Sequence, residues 1–254
     1  MQIALAEIAR KLDTDKTQSQ GYLENYERHL GHLRNSPVRL LELGVFHGGS
    51  LLMWQEYFSK GLVAGLDLQP NPLTETPERI RFYQGSQDNE TLLDLVAREC
   101  APDGFDIIID DASHIGTLTR NSFRNLFKKH LKSGGIYVIE DWGTGYWDSW
   151  PDGRAYNVRH DKYPIRFKKK FLPLFERLIN WLKLTKLSPA THRAIDQNFA
   201  AHNFGMVGFV KELVDEVAWL DITFPNRGNN DLPHRASIIR EMMIYHGQVF
   251  LVKA

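Results

Sequence analysis

The chain alternates short apolar runs with stretches in which apolar residues recur every three or four positions. Five apolar runs predict buried strands, at residues 38–44, 62–67, 80–83, 105–111 and 135–140. The helical spacing between them predicts helices at residues 51–58, 91–99 and 121–131. Strands that alternate with helices at such short intervals are typical of a parallel, doubly wound α/β sheet.

The two ends of the chain differ from this alternation. Residues 1–36 are expected to form a helical cap, because apolar residues recur at helical spacing on both sides of the polar stretch 13–21. Residues 241–247 and 248–253 predict two strands joined by a tight turn, which must be antiparallel. The expected fold is therefore α/β and Rossmann-like, with a mostly parallel seven-stranded sheet and an antiparallel last strand. This is the methyltransferase variant of the Rossmann plan, whereas a dehydrogenase usually continues with a parallel crossover.

A long segment, residues 142–203, interrupts the pattern. It begins with a glycine- and aromatic-rich loop and continues with a basic amphipathic helix at 166–184. We expect a helical insertion that forms a lid over the carboxyl ends of the strands, within a single domain of residues 1–254. The basic helix is a candidate for a lid, a subunit interface or a membrane contact, and the first two are favoured over the third.

Composition narrows the class of protein. The 31 basic and 31 acidic residues balance, so the chain has no overall field that attracts nucleic acid. The single cysteine, Cys100, excludes a disulfide within the chain and a cysteine-rich zinc site. The N-terminus lacks a signal-peptide pattern, and no apolar stretch approaches the roughly 18 residues of a membrane span. We expect a cytoplasmic homo-oligomer that has no nucleic-acid partner and no membrane partner.

A glycine-rich motif follows the first strand. Glu42, Gly44 and Gly48 have the spacing E-x-G-x-x-x-G, with Ser50 just beyond it. Glycines there let the backbone approach a ligand before a helix starts, and Glu42 can accept a hydrogen bond from an amino group. This spacing is typical of a site for S-adenosylmethionine (SAM), whereas the dinucleotide fingerprint G-x-G-x-x-G is absent. A plain glycine turn is the alternative.

Polar residues also end the second and third strands. Asp67 lies about 20 residues beyond the glycine motif, where an acid commonly binds both ribose hydroxyls of a nucleotide. Ser86, Gln87 and Asp88 follow the third strand and are candidates for an adenine contact. A helix cap or a solvated turn explains each of these positions equally simply.

Acidic residues follow two further strands. Asp110 and Asp111 follow the fourth strand, and Glu140 and Asp141 follow the fifth. Adjacent parallel strands bring their carboxyl ends together, so we expect four carboxylates to converge in one crevice. Uncompensated carboxylates repel one another, and a hard divalent cation, with Mg²⁺ favoured, relieves the repulsion. Solvated strand-end acids are the alternative.

A histidine lies close to these acids in the sequence. His114 follows Asp111 by three residues, and an imidazole is the side chain best suited to act as a general base near neutral pH. A structural histidine is the alternative.

Several of these segments together resemble one enzyme family. Residues 14–16 (TDK), 21–26, 40–50 (LLELGVFHGGS), 106–114 (DIIIDDASH) and 134–142 (GGIYVIEDW) are similar to the macrolide and rhamnosyl sugar O-methyltransferases, which include the mycinamicin and macrocin enzymes. The resemblance covers roughly residues 13–145 and the terminal hairpin. Ala112 stands where that family is expected to have glycine.

The resemblance implies a set of site residues. It assigns Mg²⁺ to Asp111, Glu140 and Asp141, and the role of catalytic base to His114. The residues then expected to bind SAM are Tyr22, Glu42, Gly44, Gly48, Ser50, Asp67, Ser86, Gln87, Asp88, Asp110 and Asp111. The implied function is magnesium-dependent methyl transfer from SAM to a hydroxyl of a sugar or natural product, as in antibiotic biosynthesis. A catechol-type O-methyltransferase and a non-catalytic SAM-binding protein are the alternatives.

Overall fold

A seven-stranded sheet is the centre of the fold. The computed structural model describes residues 3–161, 202–229 and 231–254, and the sheet order is β3-β2-β1-β4-β5-β7-β6. The strands are β1 (Arg39–Leu43), β2 (Leu62–Asp67), β3 (Ile80–Gln84), β4 (Phe105–Asp110), β5 (Leu131–Glu140), β6 (Ile239–Ile244) and β7 (Gln248–Lys253). Strands β1 to β5 pair in parallel, and β7 pairs antiparallel with both β5 and β6. The expected fold class is confirmed.

Helices cover both faces of this sheet. They are α1 (Leu5–Ala9), α2 (Tyr22–Leu30), α3 (Gly49–Tyr57), α4 (Glu90–Cys100), α5 (Gly116–Lys129), α6 (Pro151–Asp161), α7 (Gly205–Val217) and α8 (Trp219–Ile222). Buried side chains of α1, α2 and α3 form the core on one face, and those of α4, α5 and α7 form the core on the other. Two covered faces explain why the centre of β4 is entirely apolar. None of the helices in the described ranges is long and apolar enough to cross a membrane.

The strand order creates a crevice at one edge of the sheet. The chain moves outward from β1 to β2 and β3, and then returns to place β4 on the other side of β1. Loops that leave the carboxyl ends of β1 and β4 therefore diverge to opposite faces, and ligands of open α/β sheets bind at such a switch point.

The starts of two elements, α5 and β5, differ most from the sequence expectation. Helix α5 begins at Gly116 rather than at Asn121, because the Gly116 amide donates to Oδ2 of the distant Asp152 at 2.7 Å. Strand β5 begins at Leu131 rather than at Gly135. Its register with β4 shifts between Phe105 and Ile107, so residues 132–135 form an irregular bulge within the strand.

The start of the insertion is held by hydrogen bonds to α5 and α7, two of the helices that cover the sheet. A 3₁₀ turn, Trp142–Tyr146, leads into α6, and Oδ2 of Asp152 accepts from the amides of both Gly116 and Met206 at 2.7 Å. One carboxylate thus caps α5 and α7 together. The predicted basic helix at 166–184 lies outside the described residues.

Candidate active site

A cleft of about 440 Å³ opens at the carboxyl ends of β1, β2 and β4. Its lining includes five residues that the sequence predicted as cofactor-binding residues or as the base, and six that it did not assign to the site. The lining residues are Asp15, Gly44, Val45, Phe46, His47, Ser50, Asp67, Gln69, Asp111, Ala112 and His114. The cleft thus joins the predicted cofactor residues to one end of the acidic cluster.

The glycine loop forms one wall of this cleft. Gly44 has a φ of +86°, and a Cβ atom placed there would lie 2.1 Å from the carbonyl oxygen of Asp111. Only glycine therefore lets the loop after β1 pass so close to the loop after β4. Gly48, at the N-terminus of α3, also has a positive φ, +83°.

Glu42 lies behind this wall. Its carboxylate is fully buried and accepts from Oγ of Ser50 at 2.7 Å and from Nε1 of Trp54 at 3.2 Å. Burial raises the pKa of Glu42, and the charge of Lys16 opposes that shift. Ser50 lines the cleft but Glu42 does not. Glu42 therefore influences the site indirectly, by its contacts with Ser50 and Lys16.

Asp67 lines the cleft at the end of β2. Its Oδ2 accepts from the amides of Val45 and Phe46 at 2.7 and 3.1 Å, and its Oδ1 accepts from the amide of Gln69 at 2.8 Å. The carboxylate therefore ties the glycine loop to β2. Each carboxylate oxygen has two lone pairs, so Oδ1 retains acceptor capacity for a ribose hydroxyl.

The residues after β3 form a buried clamp. Nε2 of Gln87 donates to Oδ1 of Asp110 at 3.0 Å, and its Oε1 accepts from the amide of Ser113 at 3.1 Å. Ser86 donates to Asp88 within the same turn. Gln87 thus holds the loop that carries the histidine, and Ser86 and Asp88 are half-buried beside it.

The four acids do not converge as the sequence predicted. Consecutive residues of an extended chain point to opposite faces, so Asp110 and Asp111 separate. Asp110 is buried towards α5, where it accepts from Ser122 at 2.8 Å and from Tyr137 at 3.0 Å. This burial raises the pKa of Asp110 to about 6. Its place is in this network rather than among the lining residues of the cleft.

Asp111 and Asp141 do come together, with His114 between them. Nε2 of His114 lies 3.8 Å from Oδ1 of Asp111 and 3.8 Å from Oδ2 of Asp141. Potential ligand atoms of the three residues all lie within 4.8 Å of one another. The two carboxylate oxygens at this spacing suit a small, hard divalent cation, and the imidazole lies beside them. Nδ1 of His114 is buried and has no hydrogen-bond partner within the described ranges.

Glu140 lies deeper and contacts a residue that the sequence interpretation missed. The buried Lys16 places Nζ 2.7 Å from Oδ2 of Asp111, 2.9 Å from Oε1 of Glu140 and 3.4 Å from Glu42. Burial lowers the pKa of Lys16, but the three carboxylates outweigh it and hold that pKa well above its ordinary value. The available signal was a lysine in the TDK segment, which belongs to the family resemblance, together with acids that need a counter-charge.

Two tyrosines of α2 also reach the acids. The Tyr26 hydroxyl donates to Oε1 of Glu140, and the Tyr22 hydroxyl donates to Oδ1 of Asp141. Burial raises the pKa of both tyrosines, so each stays a neutral donor. Tyr22, predicted to bind SAM, contacts the acid after β5 in this structure, and the sequence reasoning assigned no role to Tyr26.

The fold is that of the Rossmann-like methyltransferases. A methyltransferase from the mycinamycin biosynthetic pathway, solved in complex with Mg, SAH and mycinamycin VI, superposes with a TM-score of 0.68 at 28% identity. The match covers 99% of this chain and 54% of that chain. That complex contains Mg, the metal favoured for the acidic cluster, and SAH, the product that SAM leaves after methyl transfer.

Curated relatives confirm the expected resemblance to the macrolide and sugar O-methyltransferases. The mycinamicin VI 2''-O-methyltransferase of Micromonospora griseorubida is 35% identical over 223 residues, which are 82% of this chain and 52% of the relative. An 8-demethyl-8-(2-methoxy-alpha-L-rhamnosyl)-tetracenomycin-C 3'-O-methyltransferase of Streptomyces olivaceus is 44% identical over 128 residues, 48% of this chain and 32% of that protein. The chain therefore spans about half the length, or less, of the curated relatives it matches. No family model matches the chain.

Proposed function

We propose that this protein transfers a methyl group from SAM to a hydroxyl of a sugar-bearing natural product, with Mg²⁺ bound at the acidic cluster. The observation that carries the proposal is the position of Asp111. This residue lines the cleft behind the glycine loop and also contributes to the cluster with His114 and Asp141. A methyl donor in the cleft and an acceptor at the cluster would then be neighbours.

The cleft suits SAM in both its backbone and its charges. The glycine loop around Gly44 and Gly48 exposes backbone to the ligand, and Asp67 offers Oδ1 to a ribose hydroxyl. Ser50 lies between the buried Glu42 and the ligand, and Gln87 holds the wall opposite. Ser86 and Asp88 are assigned to the adenine end of the site.

The acidic cluster suits Mg²⁺ because its donors are hard carboxylate oxygens. Asp111, Glu140 and Asp141 would hold the ion, each through the oxygen that Lys16 and the tyrosines leave free. When bound, SAM supplies an electrophilic methyl group and Mg²⁺ supplies a Lewis acid for neighbouring acceptor oxygens.

His114 accepts the proton of the attacking hydroxyl in this proposal. Its Nε2 is the ring nitrogen that faces Asp111 and Asp141, so these carboxylates stabilise the imidazolium that forms. Trp150 donates from Nε1 to the carbonyl of Ser113 at 3.1 Å and packs its ring 5.6 Å from that of His114. The indole thereby fixes the loop and shields the imidazole from water.

A turnover assay tests the proposal. The full chain is incubated with SAM, MgCl₂ and a panel of glycosylated macrolides, rhamnosylated polyketides and catechols, and SAH release and the mass of each acceptor are followed. Methylation of a glycoside is expected. Methylation of catechols alone would replace the acceptor class, and tight SAM binding without turnover on any acceptor would favour a non-catalytic protein. A cytoplasmic location, a homo-oligomeric assembly, the absence of nucleic-acid or membrane partners and a single domain over residues 1–254 remain predictions from the sequence.

A further inference from the structure

Each of the three proposed metal carboxylates is held through one oxygen by a residue that precedes the sheet. Oδ2 of Asp111 accepts from Lys16, Oε1 of Glu140 accepts from both Lys16 and Tyr26, and Oδ1 of Asp141 accepts from Tyr22. These donors come from a stretch of 11 residues, Lys16 to Tyr26, that contributes no strand.

The other oxygens of two carboxylates face the site. Oδ1 of Asp111 and Oδ2 of Asp141 each lie 3.8 Å from Nε2 of His114. A carboxylate whose one oxygen accepts a hydrogen bond cannot rotate freely about its last torsion. The donors therefore determine which oxygen each acid presents to a ligand.

The two tyrosines are themselves fixed. Tyr26 is fully buried and packs edge-on against Trp54 and Phe250, with ring centroids 4.9 and 5.5 Å away. The Tyr22 hydroxyl lies so close to the β6–β7 turn that a Cβ atom on Gly247 would be 1.9 Å from it. Neither hydroxyl can leave its acid without disturbing the core or the hairpin.

We propose that Tyr22 and Tyr26 are positioning residues for the metal site, which orient Asp141 and Glu140 so that one oxygen of each is presented to the ion. The inference rests on the proposed function, because it assumes that these acids bind the metal. Hydrogen-bonded partners of metal ligands commonly govern metal affinity in this way. Lys16 has a different part, since it supplies charge as well as a donor.

Tyrosine is the informative residue because its removal leaves the charge of the site unchanged. Replacing Lys16 would delete a positive charge beside three carboxylates, so the site would attract a cation more strongly. The same change would remove a hydrogen-bond donor that orients the acids, which would weaken metal binding. These two effects on metal affinity oppose each other. A Tyr→Phe change removes only the donor and keeps the ring. A fall in metal affinity then reports orientation.

Direct metal binding provides the test. Mn²⁺ replaces Mg²⁺ because it accepts the same oxygen ligands, and loss of its free electron paramagnetic resonance signal measures binding without turnover. Tyr22→Phe and Tyr26→Phe are compared with Tyr57→Phe. Tyr57 is equally buried and donates to Glu27 at 3.0 Å, away from the cleft, so it is a matched control.

We expect Mn²⁺ to bind about 10-fold more weakly to Tyr22→Phe and Tyr26→Phe, the usual effect of removing such a partner, and normally to Tyr57→Phe. SAM affinity by calorimetry and the melting temperature without metal should match those of Tyr57→Phe. Unchanged Mn²⁺ affinity in Tyr22→Phe would overturn the inference, and that variant decides alone if Tyr26→Phe does not fold. A parallel loss of SAM affinity would overturn it in favour of a cofactor contact. Failure of the unmodified protein to bind Mn²⁺ would instead remove the metal from the proposed function.

Discussion

Nε2 of His114 lies 3.8 Å from Oδ2 of Asp141, so the imidazole faces an acid that follows a neighbouring strand. The backbone of His114 has a φ of +51°, in the left-handed region that only a few per cent of non-glycine residues adopt. A residue held in that conformation beside the cleft is typical of a functional position.

The role of His114 as a base can be separated from a role in folding. His114→Asn suits the positive φ, so the loop should keep its shape, and turnover should fall by roughly 10² to 10⁴. Raising the pH should restore part of the rate, because a larger fraction of the acceptor hydroxyl is then ionised without the help of a base. Assays of SAH release across a pH series measure this. His130→Asn is the control, since His130 pairs with Asp94 at 2.7 Å outside the cleft. Near-normal turnover in His114→Asn would assign the proton to another group.

Asp67 should determine SAM affinity. Asp67→Asn keeps the shape of the side chain but removes the charge, and charge-assisted hydrogen bonds of this kind are worth roughly 1.5 to 3 kcal/mol. Calorimetry should show SAM binding weakened about ten- to hundredfold. Asp106→Asn is a matched control, because Asp106 accepts from the amide of Arg39 at 2.7 Å at the opposite edge of the sheet. Equal SAM affinity in both variants would show that Asp67, at the end of β2, does not bind the ribose of SAM.

Turnover should depend on a divalent metal at Asp141. EDTA should abolish activity and MgCl₂ should restore it, because the acids need a counter-ion to hold an acceptor oxygen. Asp141→Asn, which also tolerates the φ of +52° at this position, should bind SAM normally but require far more Mg²⁺. Full activity after exhaustive chelation would show that His114 works without a metal.

The pairing of Glu216 with Arg235 should make stability depend on pH. Arg235 donates to both oxygens of Glu216 at 2.7 Å, and these hydrogen bonds lower the pKa of Glu216 from its ordinary value of 4.5. A lowered pKa in the folded state means that the pair stabilises above pH 4.5 and that this stabilisation is lost as the pH falls through the lowered pKa. Glu216→Gln should thus lower the melting temperature at pH 7 and have a smaller effect at pH 3. Glu212→Gln, which weakens the pair with Arg120, should have a smaller effect at pH 7, because the Glu212 carboxylate is more exposed than that of Glu216. A Glu216→Gln deficit that persists unchanged at pH 3 would contradict this assignment.

The sheet was predictable because its strands are defined by local apolar runs. The bounds of β2 and β7 match those expected from the sequence, and the antiparallel hairpin followed from its two-residue joint. The start of α5 was not predictable, because Asp152 caps it from 36 residues away. No local pattern in residues 116–120 marks a helix that depends on such a tertiary contact.

The sequence predicted which residues gather at the site, but only part of how their side chains are arranged. Strand ends placed Asp111, His114 and Asp141 together, as the parallel topology requires. The sequence could not tell that Asp110 turns to the other face, or that a lysine from a polar stretch is buried among the acids. A lysine can extend four methylenes through apolar surroundings, so its local polar neighbours did not predict its burial.

Gly44 should be required for both stability and SAM binding, because a side chain there would collide with the backbone. Gly134, which shares its positive φ but not the crowding, is the control. Its φ of +86° strains any L-residue, and a Cβ atom there would lie 2.1 Å from the carbonyl oxygen of Asp111. Gly134 has a φ of +75°, but the nearest atom to its added Cβ, on Arg240, is 4.0 Å away. Gly134→Ala should therefore lower the free energy of unfolding by only about 1 kcal/mol, the usual strain of an alanine in the left-handed conformation.

Gly44→Ala should cost more than Gly134→Ala, because the loops after β1 and β4 must also move apart. Since these loops form the two walls of the cleft, SAM affinity should fall together with stability, whereas Gly134→Ala should bind SAM normally. Urea unfolding and calorimetry on both variants measure the two quantities. Equal losses of stability in the two variants would mean that backbone strain alone matters, and the close approach of Gly44 to Asp111 would then not be what shapes the cleft.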